Sequence, residues 1–341
     1  MSSRPFQCLT FTLLLLPPLL LVTYLFSAFP HPPLPVHVHK SLASLPPTEK
    51  SWSIYPEDFY PGGGYASLPN GRVRYWLLGP PRGKKIVLIH GLSIPAMIWK
   101  DVAPSLAARG YRVLLYDLHG RGYSDAPQTT YDSNLYTTQL ALLMQLLKWD
   151  KANIVGVSMG GGIAAAFTAN FPHLVDEGVG LIASAGLIES GEISRTAKFM
   201  SSPLVQTLAA SRPVRSYIQR LANQSVPNTP DNGSIVEIVR IQSAHLPGYN
   251  AALSSSLRDG PIRGLEAAFR SEGFVGKRVL ILHGTKDVTV LPKYATQIEG
   301  LITDQAEKKL ITIEGAEHDI TVSHPTEVLR AIDDLVSGNA W

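Results

Sequence analysis

The sequence predicts an α/β protein with a mostly parallel central sheet flanked by helices. Short and nearly continuous apolar runs, typical of strands buried on both faces, alternate with segments of helical apolar spacing. Those segments, at residues 96–108, 135–149 and 159–171, are long enough to cross from one parallel strand to the next. The predicted parallel strands lie near residues 85–90, 111–118, 152–157, 177–184, 278–284 and 309–315.

An antiparallel edge and a cap complete the predicted architecture. The sequence LPNG at residues 68–71 is typical of a hairpin turn and joins a short strand to one at residues 72–78. After Gly186 the alternation breaks into polar and amphipathic pieces, and it resumes near residue 278. We therefore predict a core at residues 62–186 and 277–341 that is interrupted by a cap insertion at residues 187–276.

Composition excludes several classes of protein. The 341 residues suffice for about two domains or one large domain with an insertion, and 45% hydrophobic against 17% charged residues indicates a folded chain. The net charge is only +3, and no basic run is longer than a pair, so nucleic acid is not an expected partner. The single cysteine, Cys8, can form neither an intrachain disulfide nor a thiolate metal cluster.

The first thirty residues form a separate element. Residues 6–29 carry no charge and are long enough to cross a bilayer, which predicts a single-pass N-terminal membrane anchor within residues 1–30. Arg4 before the segment and Lys40 after it favour a cytoplasmic N-terminus and a large domain across the membrane, in the secretory pathway. The alternative is a cleaved signal peptide and secretion, but Phe26 and Leu25 stand where a cleavage site needs small residues.

Residues 31–61 are rich in Pro, Ser and His and show no apolar periodicity, which predicts a linker without packed elements. His37 and His39 alternate with valine there, but two histidines without a third ligand do not make a metal site. No glycine pattern that cradles a phosphate or a dinucleotide is present. We therefore expect neither a metal nor a cofactor.

A candidate nucleophile lies between a predicted strand and a predicted helix. Residues 156–160, GVSMG, fit G-x-S-x-G in the strand-to-helix context that defines a nucleophile elbow. The small glycines let the backbone turn sharply while the hydroxyl of Ser158 points out of the sheet.

A serine hydroxyl becomes a good nucleophile only when a neighbouring imidazole accepts its proton. His318, in GAEHD, follows the last predicted strand, and the chain order nucleophile, acid, histidine favours it as that base. The acid should lie between them at a strand end. Asp287, in HGTKD, follows the penultimate strand directly, whereas Asp304 lies in a linker from helix to strand. We therefore predict a triad of Ser158, Asp287 and His318.

The other histidines are assigned no catalytic part. His90 and His283 are interpreted as strand-end residues beside glycines, and His119 as part of a glycine-rich loop.

Together these motifs resemble those of α/β-hydrolase fold serine hydrolases of the AB hydrolase-1 type, which are similar to esterases and lipases. The resemblance covers residues 62–337 and implies that the backbone N–H groups of Met159 and Leu92 form an oxyanion hole, in a loop that Ser93 or Ile94 also shape. Ser158 argues against the epoxide hydrolases and haloalkane dehalogenases of this family, which carry aspartate at that position. The motifs are HG at residues 90–91, DLHGRGYS at 117–124, GVSMGG at 156–161, HGTKD at 283–287, GAEHD at 315–319 and HP at 324–325.

The predicted function is that of a membrane-anchored serine hydrolase. Its expected partner is a small-molecule ester substrate with a lipid-like or other apolar acyl group, which it cleaves through a Ser-His-Asp triad and an acyl-enzyme. It is expected to contact the membrane through residues 6–29. Two alternatives remain open: a non-catalytic receptor or scaffold of the same fold, and a carbon–carbon bond hydrolase or other relative that is not an esterase.

Overall fold

The computed structural model describes residues 4–28, 35–193, 195–200, 202, 205 and 233–338. The chain divides into two compact units, Met1–Val36 and His37–Trp341. The first unit contains the helix α1 (Arg4–Ala28). Within α1, the structure describes the side chains of residues 12–27. Among the described residues, no helix is long and apolar enough to cross a membrane.

The second unit is built on an eight-stranded sheet in the order β2-β3-β5-β4-β7-β8-β9-β10. Only the β2–β3 and β3–β5 pairs of this sheet are antiparallel, and every other neighbouring pair is parallel. This confirms the predicted mostly parallel sheet with an antiparallel edge. A separate antiparallel pair joins β1 to β6. The strands are β1 (Val38–His39), β2 (Gly63–Leu68), β3 (Gly71–Leu78), β4 (Lys85–Ile89), β5 (Arg112–Tyr116), β6 (Ala126–Pro127), β7 (Ala152–Val157), β8 (Val175–Ile182), β9 (Arg278–Gly284) and β10 (Glu307–Ile313).

Helices cover both faces of this sheet, which explains why the central strands are apolar throughout. Successive side chains of a strand point to opposite faces, so Val87 and Ile154 pack in one buried cluster while Leu88 and Val155 pack in the other. The remaining α-helices of the described residues are α2 (Ser51–Ile54), α3 (Ala103–Ala108), α4 (Ser133–Leu146), α5 (Met159–Asn170), α6 (Arg195–Met200), α7 (Gly233–His245), α8 (Tyr249–Asp259), α9 (Glu266–Phe269), α10 (Lys293–Leu301), α11 (Ile320–Ser323) and α12 (Pro325–Ser337).

The helix predicted over residues 96–108 is divided in two. A 3₁₀ turn at Ala96–Trp99 comes first, and α3 follows it. Pro104 lies in the first turn of α3, where a missing backbone N–H breaks no helical hydrogen bond, and this favours a new start at that point.

The structure corrects the predicted linker over residues 31–61. From His37 onward the segment packs into the second unit, and Leu42, Tyr55 and Tyr60 are buried in one of its two apolar clusters. The hydroxyl of Tyr55 also donates to the buried Asp117 Oδ1 at 3.0 Å. The apolar side chains of this segment are spaced irregularly along a non-repetitive backbone, so a search for periodicity could not reveal them. Residues 31–34 of the predicted linker lie outside the described residues.

The predicted cap lies between the end of β8 and the start of β9. Its described part includes α6 to α9, while residues 194, 201, 203–204 and 206–232 lie outside the described residues. Two of its helices, α7 and α8, bury polar as well as apolar side chains, among them Gln242 and Ser256, which are fully buried. Buried polar groups of this kind require partners, and those partners lie in the core beside the candidate site.

Candidate active site

The carboxyl ends of three parallel strands bring the predicted triad together. Ser158 follows β7 directly, Asp287 lies shortly after β9, and His318 lies in the turn after β10. Parallel strands present their carboxyl ends at one edge of a sheet, and this edge is where open α/β sheets place their sites.

Ser158 occupies a strained position at the start of α5. Its backbone has φ 58° and ψ −123°, a region that residues with a Cβ rarely adopt. The flanking glycines are sterically required, because a Cβ on Gly156 would lie 2.0 Å from the Gly160 oxygen and one on Gly160 would lie 2.4 Å from the Ile89 oxygen. The turn therefore holds the serine at the strand-to-helix junction that the G-x-S-x-G pattern predicts.

The three predicted side chains form a continuous hydrogen-bonded chain. His318 Nδ1 lies 2.7 Å from Asp287 Oδ2, and His318 Nε2 lies 2.9 Å from Ser158 Oγ. A carboxylate only accepts hydrogen bonds, so the neutral imidazole carries its proton on Nδ1 and leaves Nε2 to accept from the serine hydroxyl. This arrangement equips His318 to take the proton of Ser158.

The surroundings of Asp287 favour its ionised form. Burial by itself would raise the pKa of Asp287, but hydrogen bonds from His283, His318 and the Val290 N–H outweigh it and bring the pKa well below its usual range. Asp287 Oδ1 accepts from the backbone N–H groups of Thr289 at 2.8 Å and Val290 at 2.9 Å. The acid is thus charged and fixed in orientation.

His283 is a neighbour of the triad that sequence reasoning missed. Its ring is buried, and Nε2 lies 2.8 Å from the Val290 oxygen and 3.4 Å from Asp287 Oδ2. The Nε2–H therefore ties the Asp287 loop to the end of β9. The available sequence signal was its place on the strand leading to Asp287, a feature that many structural histidines share.

The resemblance assigns the oxyanion hole to the backbone N–H groups of two residues, Met159 and Leu92. Met159 is the first residue of α5, and the N–H of a first helical residue has no acceptor within its helix. Leu92 follows β4 and lines the same cavity as Ser158. Leu92 thus lines the cavity, whereas Met159 follows Ser158 directly in the chain and its side chain is fully buried.

Three consecutive carbonyl groups of the loop that carries Leu92 are held by side chains. Each restraint comes from a different part of the chain: the end of β4, the loop after β5, and α8 of the cap. The bonds are His90 Nδ1 to the Gly91 oxygen at 2.8 Å, Arg121 Nε to the Leu92 oxygen at 2.8 Å, and Tyr249 Oη to the Ser93 oxygen at 2.9 Å.

Arg121 is fully buried and joins this loop to two helices. Besides the Leu92 carbonyl, its guanidinium donates to Tyr136 Oη of α4 at 2.7 Å and to Ser256 Oγ of α8 at 2.8 Å. Gln242 of α7 adds a further tie, because its Oε1 accepts from the Gly122 N–H at 2.7 Å. A buried charge is tolerated when its donors are satisfied in this way, and the result is a rigid support for residues 91–94.

A cavity of about 600 Å³ opens onto Ser158 and His318. Its lining is mainly apolar, and its polar residues are Ser93, Ser158, Glu192, Thr289, His318, Asp319 and Thr321. Among the described residues, no group of three or more His, Cys, Asp or Glu side chains is placed to hold a metal ion. Apolar side chains that line the cavity include Leu92, Ile98, Ile188, Leu257, Ile262 and Leu291.

Comparison with known proteins agrees with this geometry. A family model described as the alpha/beta hydrolase fold matches residues 84–199. The chain is similar to an uncharacterised protein of Mycobacterium tuberculosis, at 28% identity over 226 residues, which are 62% of this chain and 64% of the relative. The match therefore spans less than two thirds of the length of that relative.

A second relative and a solved structure extend the likeness. The soluble epoxide hydrolase of a Corynebacterium species is 30% identical over 198 residues, which are 54% of this chain and 68% of the relative. The crystal structure of the enol-lactonase from Burkholderia xenovorans superposes with a TM-score of 0.64 at 21% identity, covering 80% of this chain and 100% of that chain. Fold, family model and relatives agree, and the chain belongs to the α/β-hydrolase family.

Proposed function

We propose that the protein is a serine hydrolase that cleaves carboxylic esters through a covalent acyl-enzyme. The observation that carries this proposal is the hydrogen-bonded chain from Asp287 through His318 to Ser158 Oγ, with distances of 2.7 and 2.9 Å. The related epoxide hydrolase does not favour that activity here, because the resemblance places an aspartate nucleophile in such enzymes and this chain carries Ser158.

The mechanism follows from the two nitrogens of His318. Ser158 Oγ attacks the ester carbonyl while its proton passes to His318 Nε2, and Asp287 stabilises the imidazolium that forms. The N–H groups of Met159 and Leu92 stabilise the negative charge on the former carbonyl oxygen. The imidazolium then donates its proton to the departing alcohol. Water repeats the sequence on the acyl-enzyme and releases the acid.

An apolar acyl group is the substrate part that suits the cavity. A volume of about 600 Å³ lies within the range of small-molecule sites, which are typically about 300–1,000 Å³. The apolar lining offers burial to a hydrocarbon chain but few hydrogen bonds to a polar one. We therefore propose lipid-like or other apolar esters as the substrate class.

We also propose that the N-terminal unit anchors the enzyme to a membrane of the secretory pathway. The uncharged residues 6–29 support this proposal by their length and composition. A membrane position would bring the cavity near esters that partition into lipid.

A fluorophosphonate probe tests the proposed chemistry, since it reacts with an activated serine and needs no knowledge of the substrate. We expect the full-length protein in detergent to be labelled and to hydrolyse p-nitrophenyl esters. Ser158→Ala should abolish labelling and lower kcat on the order of 10⁴-fold or more.

Ser67→Ala is the matched control, because Ser67 is exposed on the edge strand β2 and should remain dispensable for labelling. Folded wild-type protein that neither reacts nor hydrolyses any acyl chain length would contradict the proposal and favour the receptor or scaffold alternative.

A further inference from the structure

We propose that His90 is a positioning residue that sets the direction of the Leu92 N–H toward the oxyanion. The inference rests on the proposed function, because it assumes that this N–H stabilises negative charge during ester cleavage. His90 itself touches neither the nucleophile nor the substrate in this scheme, and it acts only through the peptide group between Gly91 and Leu92.

The partners of His90 determine which of its nitrogens carries the proton. Its ring is fully buried at the end of β4. His90 Nε2 lies 2.9 Å from the Leu118 backbone nitrogen, and Nδ1 lies 2.8 Å from the Gly91 oxygen. A backbone N–H can only donate and a carbonyl can only accept. The proton is therefore on Nδ1, which donates to Gly91, while Nε2 accepts from Leu118.

This arrangement persists at the pH at which a hydrolase works. Burial lowers the pKa of His90 to about 3, and the nearby charge of Arg121 acts in the same direction, against the opposing effect of the Gly91 hydrogen bond. A second proton on Nε2 would face the Leu118 N–H, so the neutral ring is the form that the site accommodates.

Because a peptide group is planar, a hydrogen bond that fixes its carbonyl group also fixes the direction of its N–H. The Gly91 C=O and the Leu92 N–H belong to one planar peptide group, and the described residues contain no cis peptide bond. In a trans peptide these two groups point in opposite directions. A hydrogen bond that holds the Gly91 oxygen toward His90 therefore turns the Leu92 N–H away from His90.

That peptide runs directly beside the nucleophile. A Cβ built on Gly91 would lie 3.2 Å from Ser158 Cβ and 3.7 Å from Ser158 Oγ. A small rotation of this peptide group therefore changes the distance between the Leu92 N–H and an oxyanion formed at Ser158.

The other restraints on the loop, from Arg121, Tyr249 and Gln242, act on different peptide groups. Arg121 holds the Leu92 carbonyl, whose peptide carries the Ser93 N–H, and Tyr249 holds the Ser93 carbonyl, whose peptide carries the Ile94 N–H. Among the hydrogen bonds of the described residues, the bond from His90 is thus the one that orients the amide assigned to the oxyanion hole.

Two substitutions test the roles of the two His90 nitrogens separately, the donor Nδ1 and the acceptor Nε2. His90→Asn places an amide N–H near the position of Nδ1 and can keep the bond to Gly91, whereas His90→Gln places an amide oxygen near Nε2 and keeps only the bond from Leu118. With p-nitrophenyl butyrate as the probe, we expect H90N to retain kcat within a few-fold and H90Q to lose on the order of ten- to a hundredfold. KM should change little in both variants.

A second readout distinguishes positioning from general loosening of the structure. A trifluoromethyl ketone forms an adduct with Ser158 that carries an oxyanion, so its affinity should fall in H90Q by the same factor as kcat, while thermal unfolding of H90N and H90Q stays similar. Equal kcat in H90N and H90Q, or a loss confined to KM, would overturn the role of His90. Absence of labelling and turnover in the wild type would instead overturn the proposed function and this inference with it.

Nitrogen NMR of the wild-type protein tests the inference without a substitution that could impair folding. We expect His90 to show a proton on Nδ1 and no titration between pH 5 and pH 8. A proton on Nε2, or titration in that range, would contradict the inference.

Discussion

Both oxygens of the Asp287 carboxylate are held from more than one side. Oδ1 accepts two backbone N–H groups, while Oδ2 faces His318 and His283. Because the pKa of Asp287 lies well below its usual range, the stabilisation that it provides is present above the pKa of an unfolded aspartate. That stabilisation is lost only as the pH falls through the folded value.

Asp287→Asn should disable catalysis, and it should also remove the stabilisation that the ionised carboxylate gives to the fold. An asparagine that keeps the two bonds to Oδ1 must present an N–H to His318 Nδ1, which reverses the tautomer that the mechanism needs. We expect kcat to fall on the order of 10⁴-fold. Steady-state kinetics and thermal unfolding of the variant check this prediction, and a kcat close to that of the wild type would exclude Asp287 as the partner of His318.

Among individual residues, the sequence predicts those whose positions in the chain follow the order of the family pattern. Ser158, Asp287 and His318 follow predicted strands and occur in the order that the family pattern requires. His90 and His283 also stand at strand ends, but their importance lies in what each ring nitrogen contacts. Apart from the contact of His283 with Asp287 Oδ2, those contacts are made with the backbone of Gly91, Leu118 and Val290, and a backbone partner leaves no mark in the sequence.

At the scale of secondary-structure elements, the start of α5 lies in close contact with the end of β4. A Cβ on Gly160 would lie 2.4 Å from the Ile89 oxygen and 2.6 Å from the His90 oxygen. Ile89 is the last residue of the central strand β4 and His90 follows it, so neither backbone oxygen can move without disturbing the sheet or the loop after it. The second glycine of the elbow is therefore required by packing between elements as well as by the turn itself.

Gly160→Ala should reduce both stability and activity for this reason. We expect a loss of about 1–3 kcal/mol or more in the free energy of unfolding, as for an overpacked core. Gly300→Ala in α10 is the matched control, because a Cβ there meets nothing within 4 Å. That change should leave activity intact and raise stability by about 0.4–1 kcal/mol. Urea unfolding compares the two variants, and equal stabilities would contradict the packing argument.

In the whole molecule, the boundary between the two units does not fall where the sequence suggests. The sheet could be predicted because buried strands repeat their pattern at regular intervals, but Leu42, Tyr55 and Tyr60 follow no such period. Their burial depends on a surface created by distant strands and loops, including Trp76 and Asp117, which local sequence cannot show.

Two truncations test this boundary together with the proposed anchor. A form that begins at His37 keeps the entire second unit, so it should remain folded and active but leave the membrane fraction after alkaline extraction. A form that begins at Gly62 loses Tyr55 and Tyr60, and each buried aromatic side chain contributes on the order of 3–5 kcal/mol. We expect that form to be unfolded.

Extraction behaviour and circular dichroism are the measurements. Full-length protein that leaves the membrane as readily as the His37 form would contradict the anchor, and a folded, active Gly62 form would contradict the boundary at residue 37.

The support that α7 and α8 give to the loop of Leu92 limits how this protein can be re-engineered. A cap is commonly regarded as an exchangeable module that alters specificity and leaves the chemistry to the core. Here Gln242 and Tyr249 donate to the Ser93 carbonyl in the loop after β4, and Ser256 accepts from Arg121; all three belong to the segment between β8 and β9. A chimera that received a foreign cap would need an equivalent amide and two hydroxyl groups at these places, or it would gain a new pocket while losing the geometry that makes the pocket reactive.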